Sequence, residues 1–278
     1  ANRTYTVDSG NEGPHGVLLV NDAGFYRRFL AGGEIGFGEC YQQHLCDSPD
    51  LVQLLQLAIV NRRAVDLNQG VLRLLSRRRN RRMHQLRANT VEQSRHNIHD
   101  HYDLGNDFFS LFLDETLTYS SAVFESDEQD LTEAQLNKYQ RICELAEVDS
   151  SDHLLEIGTG WGGFAIYAAG RYNCHVTTIT ISQEQFNLAQ DRIREAGVDH
   201  LVKVLLSDYR DLSGSFTKIV SIEMFEAVGV EFFETFFMKC ADLLDPDGKL
   251  VMQVITVPDS AFEAQMTGVN WIQKYIFP

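Results

Sequence analysis

The chain has 278 residues and a formal net charge of −15 at pH 7, and this acidity disfavours a general nucleic-acid-binding protein. A hydrophobic content of 44% and a charged content of 23% predict a globular protein with one large domain or two smaller ones. No apolar segment is long enough to span a bilayer, no signal peptide is evident, and the five cysteines lack a CxxC pair. These features predict a cytoplasmic protein with reduced thiols that meets membranes only at their surface.

The first zone, residues 1–88, is predicted to be a smaller and mainly helical domain that helps to bind lipid. Its pattern predicts a short strand at residues 17–20, a short helix at residues 25–30 and a longer helix over residues 50–75. Four glycines between the two helices predict a flexible turn: Gly32, Gly33, Gly36 and Gly38.

An arginine-rich run, residues 77–82, follows the longer helix in an otherwise acidic chain. One interpretation is docking on anionic lipid headgroups, which is worth about 1 kcal/mol per charge near the surface. The other is a solvated linker that pairs with acidic groups of this chain or of a second copy in a homodimer. The sequence leaves both open.

The remaining residues, 89–278, are predicted to form the larger domain. A polar linker precedes a helix that begins near Leu131, where Thr132 and Gln135 have the spacing of a capping box. From Leu154 onward the pattern alternates strand and helix, which predicts a doubly wound parallel α/β sheet. The predicted strands cover residues 154–157, 175–181, 202–206, 218–222 and 249–255, and the clearest helices cover residues 183–195 and 231–244. Such sheets have more strands, so we expect C-terminal strands to be missing from this chain.

The glycine-rich stretch at residues 158–163 follows the first of these strands. Glycines at 158 and 160 allow the backbone to approach a ligand closely. A dinucleotide site would place an acidic residue at the end of the second strand, but residues 180–182 contain none. The acidic residue instead precedes the glycines, as Glu156, and Asp208 with Tyr209 follows the third strand. This arrangement is typical of methyltransferases that use S-adenosylmethionine.

Longer segments extend this resemblance over nearly the whole chain. Residues 33–39, 101–109, 117–122, 221–229 and 271–278 resemble, in order, motifs of the cyclopropane fatty acid synthase and mycolic acid methyltransferase family. The resemblance implies a Rossmann-like fold and transfer of a methyl or methylene group from S-adenosylmethionine to the double bond of an acyl chain, usually on a phospholipid. It therefore implies a protein that works at the inner face of the membrane.

The resemblance also implies where the cofactor is held. Tyr119 and Ser120 would contact its methionine part, Thr180 and Gln185 its ribose region, and Asp208, Tyr209 and Ile222 its adenine. Gly158 and Gly160 would lie beneath it. The full predicted set comprises Tyr119, Ser120, Glu156, Gly158, Thr159, Gly160, Gly162, Thr180, Ile181, Gln185, Asp208, Tyr209 and Ile222.

Methyl transfer to an alkene leaves a carbocation, so the pocket must exclude water, and aromatic faces such as that of Tyr119 can stabilise the cation. A proton must then leave, and the resemblance implies a bound bicarbonate as its acceptor. Glu226 and Ile255 match the family's anion site, but Ser121 replaces its cysteine and Gln253 its histidine. Neither replacement titrates near neutral pH. Ring closure, a branched or methylene product, and a non-catalytic cofactor- and lipid-binding subunit therefore remain open.

Three histidines in the polar linker, His96, His99 and His101, have the side chains of a metal site. The resemblance assigns this segment to the cofactor lid, and methyl transfer to an alkene needs no Lewis acid. We therefore expect no metal.

Overall fold

The structure is a computed structural model that describes residues 3–8, 10, 12–61, 105–260, 262 and 269–276. The arginine run and the three linker histidines lie outside these residues. The chain divides into two units, one formed by residues 1–86 with residues 260–276, and the other by residues 87–259. In the part of the chain that the structure describes, no helix combines the length and the apolar character that crossing a membrane requires.

The first unit begins with a short antiparallel pair of strands around a long helix. Strand β1 (Leu19–Val20) pairs with β2 (Cys46–Asp47), and helix α1 (Gly24–Gln42) connects them. Helix α2 (Leu51–Val60) follows. The Asp50 carboxylate caps α2 by accepting a hydrogen bond from the backbone N–H of Gln53 at 3.0 Å.

The glycines of α1 do not form the flexible turn that the sequence predicted. The helix continues through them with one break at Gly33, where φ is 58° and ψ is −132°. A Cβ at Gly36 would lie 2.3 Å from the backbone oxygen of Arg28. The prediction was wrong because Gly33 forms a kink and Gly36 a close backbone contact within one continuous helix, roles that spacing in the sequence does not distinguish from flexibility.

The second unit begins with helices α3 (Gly105–Ser110) and α4 (Leu131–Ala146). The N-cap of α4 is Asp130, which accepts a hydrogen bond from the backbone N–H of Glu133 at 2.8 Å. The predicted capping box at Thr132 and Gln135 is therefore wrong. Gln135 is buried and donates to the backbone oxygen of Ser120 at 2.8 Å instead.

The second unit contains the predicted parallel sheet. Its elements are β3 (His153–Ile157), α5 (Gly163–Tyr172), β4 (His175–Thr180), α6 (Gln183–Glu195), β5 (Val202–Leu206), β6 (Phe216–Ile222), α7 (Phe233–Leu243) and β7 (Leu244–Gln253). The strand order is β5-β4-β3-β6-β7. Strand β7 begins five residues and ends two residues earlier than predicted, and beyond its end the backbone N–H of Ile255 bonds to the Glu226 carboxylate rather than to a strand.

Both faces of the sheet are covered by apolar side chains. Along β3, Leu154 joins the cluster that includes Tyr139 of α4 and Phe164 of α5, whereas Leu155 joins the cluster around Phe236 of α7. Successive strand residues point to opposite faces, so this alternation places one layer of helices on each side.

The chain returns to the first unit through helix α8 (Trp271–Tyr275), which a capping box of Asn270 and Gln273 begins. Trp271 packs against Gly38 of α1, where a Cβ would lie 2.4 Å from the indole ring. The Glu39 carboxylate accepts hydrogen bonds from Lys274 and from the Tyr275 hydroxyl, the latter at 2.6 Å.

Candidate functional site

The connections of the sheet place a crevice at the carboxyl ends of β3 and β6. After β3 the chain proceeds outward through β4 and β5 on one side, and it then returns to form β6 and β7 on the other. Open α/β sheets bind ligands where the strand order reverses in this way. Gly158 follows β3 at this point, and a Cβ there would lie 3.1 Å from the Cβ of Met224, which follows β6.

The glycine-rich turn after β3 has a left-handed backbone. Its φ is 107° at Gly158 and 51° at Gly160, a region that side chains other than hydrogen disfavour. The backbone N–H groups of Gly158 and Thr159 both donate to the Ile179 oxygen of β4, at 3.1 Å and 2.9 Å, which fixes the start of the turn. A Cβ on Gly160 would meet no atom within 4 Å. The turn therefore presents bare backbone to open space.

Glu156 lies beneath this turn with only 2% of its surface exposed. Its Oε2 accepts a hydrogen bond from the Thr178 hydroxyl at 2.6 Å, and that hydroxyl lies 2.8 Å from the hydroxyl of Thr159. Burial raises the pKa of the Glu156 carboxyl to about 8, although the Thr178 hydrogen bond acts in the opposite direction. The Glu156 side chain is thus a buried acid that links strands β3 and β4.

The predicted ribose residues lie at the end of β4 and the start of α6. The Thr180 hydroxyl donates to Gln185 Oε1 at 2.8 Å, and both side chains are buried. The Ser182 hydroxyl caps α6 by accepting from the backbone N–H of Gln185 at 3.3 Å. Ile181, partly buried, lies between them. The structure brings these residues together and holds their polar groups in a fixed arrangement.

Asp208 and Tyr209, two of the three predicted adenine residues, follow β5, and the third, Ile222, is the last residue of β6. The buried Asp208 carboxylate is held by Arg210, whose Nε and Nη2 donate to its two oxygens at 2.8 Å and 2.7 Å. The guanidinium also lies over the Tyr209 ring, 5.5 Å from its centroid. Arg210 was not among the predicted residues. Two-point pairing of this kind fixes the orientation of the carboxylate.

A loop that precedes α4 reaches the glycine turn and is fastened there by Arg192 of α6. The Arg192 guanidinium donates to the backbone oxygens of Glu115, Thr116 and Trp161, at 2.9, 2.9 and 2.8 Å. A Cβ on Gly163, at the start of α5, would lie 2.7 Å from the Thr116 oxygen. The loop and the turn therefore pack too closely for any side chain between them.

The same loop carries Tyr119, which is 38% exposed and belongs to an aromatic group. Its ring lies 5.2 Å from that of Phe109, and the Phe109 ring lies 5.0 Å from that of Trp161. The indole N–H of Trp161 donates to Asn106 at 2.7 Å, so α3 is joined to the glycine turn. These contacts place aromatic faces beside the crevice.

The carboxylate of Glu223 brings Ser121 and Gln253 together. Its Oε1 accepts from the backbone N–H and the hydroxyl of Ser121, at 3.1 Å and 2.7 Å, and from Gln253 Nε2 at 2.8 Å. The buried Lys138 donates to the Ser120 hydroxyl and, at 3.0 Å, to the Ser121 oxygen. Burial lowers the pKa of Lys138 to about 8, against the opposing charges of Glu223 and Asp114.

Glu226 and Ile255 form a second pair at the same edge of the sheet. The backbone N–H of Ile255 donates to Glu226 Oε1 at 2.5 Å. Both residues are exposed. The four predicted anion-site residues thus lie at the carboxyl ends of β6 and β7, but their hydrogen-bond donors contact carboxylates of the protein itself.

Comparisons with known proteins identify the family. The sequence profile of the mycolic acid cyclopropane synthetase family matches residues 89–278. The chain belongs to this family. It is 38% identical over 270 residues to the tuberculostearic acid methyltransferase UfaA1 of Mycobacterium tuberculosis, an alignment that covers 91% of this chain and 60% of the relative. It is 36% identical over 268 residues to the cyclopropane-fatty-acyl-phospholipid synthase of Escherichia coli K12, covering 94% of this chain and 65% of the relative. The chain thus spans less than two thirds of the length of both relatives.

A solved structure of the same family supports the fold. The mycolic acid cyclopropane synthase CmaA1 complexed with SAH and CTAB matches with a TM-score of 0.61 and 33% identity, over 66% of this chain and 68% of that chain. The predicted α/β methyltransferase fold and the family resemblance are therefore confirmed.

The described residues fit S-adenosylmethionine, the cofactor of these family methyltransferases. The open space at Gly160 would be filled by a side chain, and the bare turn lies at the crevice where the strand order reverses. The Thr180–Gln185 pair and the Asp208–Arg210 pair lie at the ends of the next two strands and offer polar groups of fixed orientation. The contacts of individual residues with the cofactor stay predictions.

Several residues of this family site were missed by the sequence analysis. Glu223 is one, although two glutamates three residues apart directly after a strand were a usable signal. Arg210, two residues from an expected ligand-binding carboxylate, was another. Lys138 and Arg192 gave no such signal, because lysine and arginine on a predicted helix normally face water.

Proposed function

We propose that the chain transfers a methyl or methylene group from S-adenosylmethionine to the double bond of unsaturated acyl chains of membrane phospholipids. The observation that carries the proposal is the bare glycine turn, which lies beside aromatic rings and a carboxylate cluster at one crevice. Membership of the mycolic acid cyclopropane synthetase family supports the same reaction. The names of the two relatives, a cyclopropane-fatty-acyl-phospholipid synthase and a tuberculostearic acid methyltransferase, support an acyl substrate.

Each part of the site has a task in this reaction. When bound, S-adenosylmethionine supplies an electrophilic methyl group on its sulfonium sulfur. The glycine turn and the residues after β4 and β5 hold and orient the cofactor, and a fixed orientation supplies roughly 7–11 kcal/mol of the barrier in comparable reactions. The exposed ring of Tyr119 presents a π face, worth roughly 0.5–2 kcal/mol toward a cation, and the buried rings of Phe109 and Trp161 pack behind it and exclude water.

A second product remains a candidate because of the polar residues at the site. Ser121 and Gln253 stand where the family resemblance expects cysteine and histidine, and both are bound to Glu223. This difference favours a methylene or methyl-branched product as the alternative to a cyclopropane ring. The relative named as a tuberculostearic acid methyltransferase supports that alternative.

Mass spectrometry of lipids incubated with isotope-labelled S-adenosylmethionine tests the proposal. We expect labelled product from vesicles of unsaturated phospholipid and none from vesicles of the saturated lipid with the same headgroup. A mass gain of one methylene without a double bond identifies the ring, and retained unsaturation identifies the methylene alternative. Binding of the cofactor without any labelled lipid would contradict the proposal and favour a non-catalytic lipid-binding subunit.

We also propose that the first unit docks on the membrane surface through α2. This helix has no buried residue, and Val52, Ile59 and Val60 are each more than 60% exposed. The arginine-rich run that follows it in the sequence complements anionic headgroups. We expect Val52→Gln/Ile59→Gln to reduce co-sedimentation with anionic vesicles. Unchanged co-sedimentation, or a change from dimer to monomer in analytical ultracentrifugation, would assign the face to a second copy instead.

A further inference from the structure

The carboxylate of Glu223 has an unusual setting at the end of β6. The backbone φ of Glu223 is 47°, in the left-handed region that is strained for a residue with a side chain. Glycine would avoid this strain, and strained residues of this kind cluster at functional sites. Glu223 directly precedes Met224, which contacts Gly158, and its carboxylate meets Ser121 and Gln253 at this edge of the sheet, so the strained position itself points to a function.

The hydrogen bonds of this carboxylate are divided unequally between its oxygens. Oε1 accepts from the Ser121 backbone N–H, the Ser121 hydroxyl and Gln253 Nε2, at 3.1, 2.7 and 2.8 Å. Over the described residues, no hydrogen bond reaches Oε2. Three donors on one oxygen fix the orientation of the carboxylate and leave the lone pairs of the other oxygen available to accept a proton.

The same contacts consume the donors that an external anion would need. The Ser121 hydroxyl has one proton, and it points to Glu223. Gln253 Nε2 donates to Glu223 and to both oxygens of Ser121, and the Ile255 N–H donates to Glu226. A bicarbonate ion at this edge would also meet two carboxylates, and like charges at close range repel.

We propose that Glu223 is the proton acceptor of the methyl-transfer reaction and takes the place of a bound bicarbonate. This inference rests on the proposed function. In the step that follows methyl transfer, one C–H bond breaks and its proton moves to Oε2 of Glu223. If that bond belongs to the added methyl group, its electron pair forms the σ bond to the cationic carbon that closes the ring; if it lies on an atom directly bonded to the cationic carbon, the pair forms the double bond of the methylene alternative. Ser121 and Gln253 are positioning residues that hold Oε1. The step needs no further reactant.

Two variants of Glu223 separate the role of its negative charge from the role of its side chain in occupying the place of an anion. Glu223→Gln keeps the size and an acceptor oxygen for Ser121 but is too weakly basic to take the proton. We expect it to bind SAH with unchanged affinity in calorimetry and to form labelled lipid about 10²–10⁴-fold more slowly, the usual contribution of a positioned base. Glu234→Gln, an exposed residue of α7, is the matched control and should keep wild-type rates.

Glu223→Gly removes the carboxylate and frees the donors of Ser121 and Gln253. We expect this variant to bind ¹³C-labelled bicarbonate, detected by line broadening in NMR, and to regain part of its activity when bicarbonate is added. The wild-type protein should not bind the ion. Its rate of lipid methylation in carbonate-free buffer should not change when bicarbonate is added.

Three results would overturn the inference: bicarbonate binding by the wild-type protein, a wild-type rate that depends on bicarbonate, or a full rate from Glu223→Gln. If the wild-type protein bound SAH but methylated no unsaturated lipid, the proposed function would fail. The bicarbonate-binding comparison would still decide whether Glu223 occupies the place of the anion, so the two failures are distinguishable.

Discussion

A single methyl group at Gly160 should separate cofactor binding from folding. Gly160 has a φ of 51°, and a Cβ there would meet no protein atom within 4 Å. Gly197, which follows α6, has a φ of 71° and the same open surroundings. Alanine at either position therefore carries the same kind of backbone strain, roughly 1–2 kcal/mol, and no steric clash within the protein. The two positions differ only in that the proposed cofactor site lies over Gly160 and not over Gly197.

At Gly160 the added methyl group enters the space that we assign to S-adenosylmethionine. One misplaced methylene in a ligand pocket costs about 1–3 kcal/mol, or roughly 10–200-fold in affinity. We therefore expect Gly160→Ala to weaken the binding of SAH at least about tenfold in isothermal titration calorimetry, whereas Gly197→Ala binds as the wild type does. Urea unfolding should show similar losses of stability for both variants. Equal affinities for SAH in all three proteins would refute the position of the cofactor over this turn.

Three further predictions concern buried ionisable groups. Because burial raises the pKa of Glu156 to about 8 from an ordinary value of 4.5, the folded protein keeps a proton that the unfolded chain releases, and stability from this group falls as pH rises from about 4.5 to about 8. Urea unfolding across this range should show that the free energy of unfolding of the wild type falls with pH by the amount expected for the release of about one proton. This loss should be absent in Glu156→Gln. Arg210→Ala removes the guanidinium that pairs with the buried Asp208 carboxylate and should lower the free energy of unfolding by about 3–5 kcal/mol, most of which Asp208→Asn should restore in the double variant. All five cysteines are buried, and burial raises the pKa of Cys143 and of Cys240 to about 12, so a thiol reagent at pH 8 should label none of them before the protein is unfolded.

The sequence predicts the parallel sheet well because its strands carry a strong local signal. Buried parallel strands are short apolar runs bounded by turn residues, and the predicted strand over residues 202–206 and the predicted helix over residues 183–195 have the bounds found in the structure. The glycine turn was recognisable for a similar reason, since closely spaced glycines after such a strand have few other uses.

Features that depend on distant partners were not predictable from local pattern. Gly36 and Gly38 of α1 are explained by their contacts with the Arg28 oxygen and the Trp271 ring, and neither contact can be inferred from the local sequence. The N-cap of α4 shifted to Asp130 because Gln135 is buried against the loop that carries Ser120. Glu223 and Ser121 are 102 residues apart, so their pairing emerged only from the fold.

The packing of Trp271 and Lys274 on α1 has a consequence for how the protein is made. Glu39 and Tyr275 are separated by 236 positions, so α1 gains this partner only after the residues of the sheet, which lie between them, have been synthesised. Until then the surface around Gly38 stays uncovered. Helix α1 is therefore made before the sheet but gains its partner after it, and a chaperone that shields α1 during translation would act on this uncovered surface.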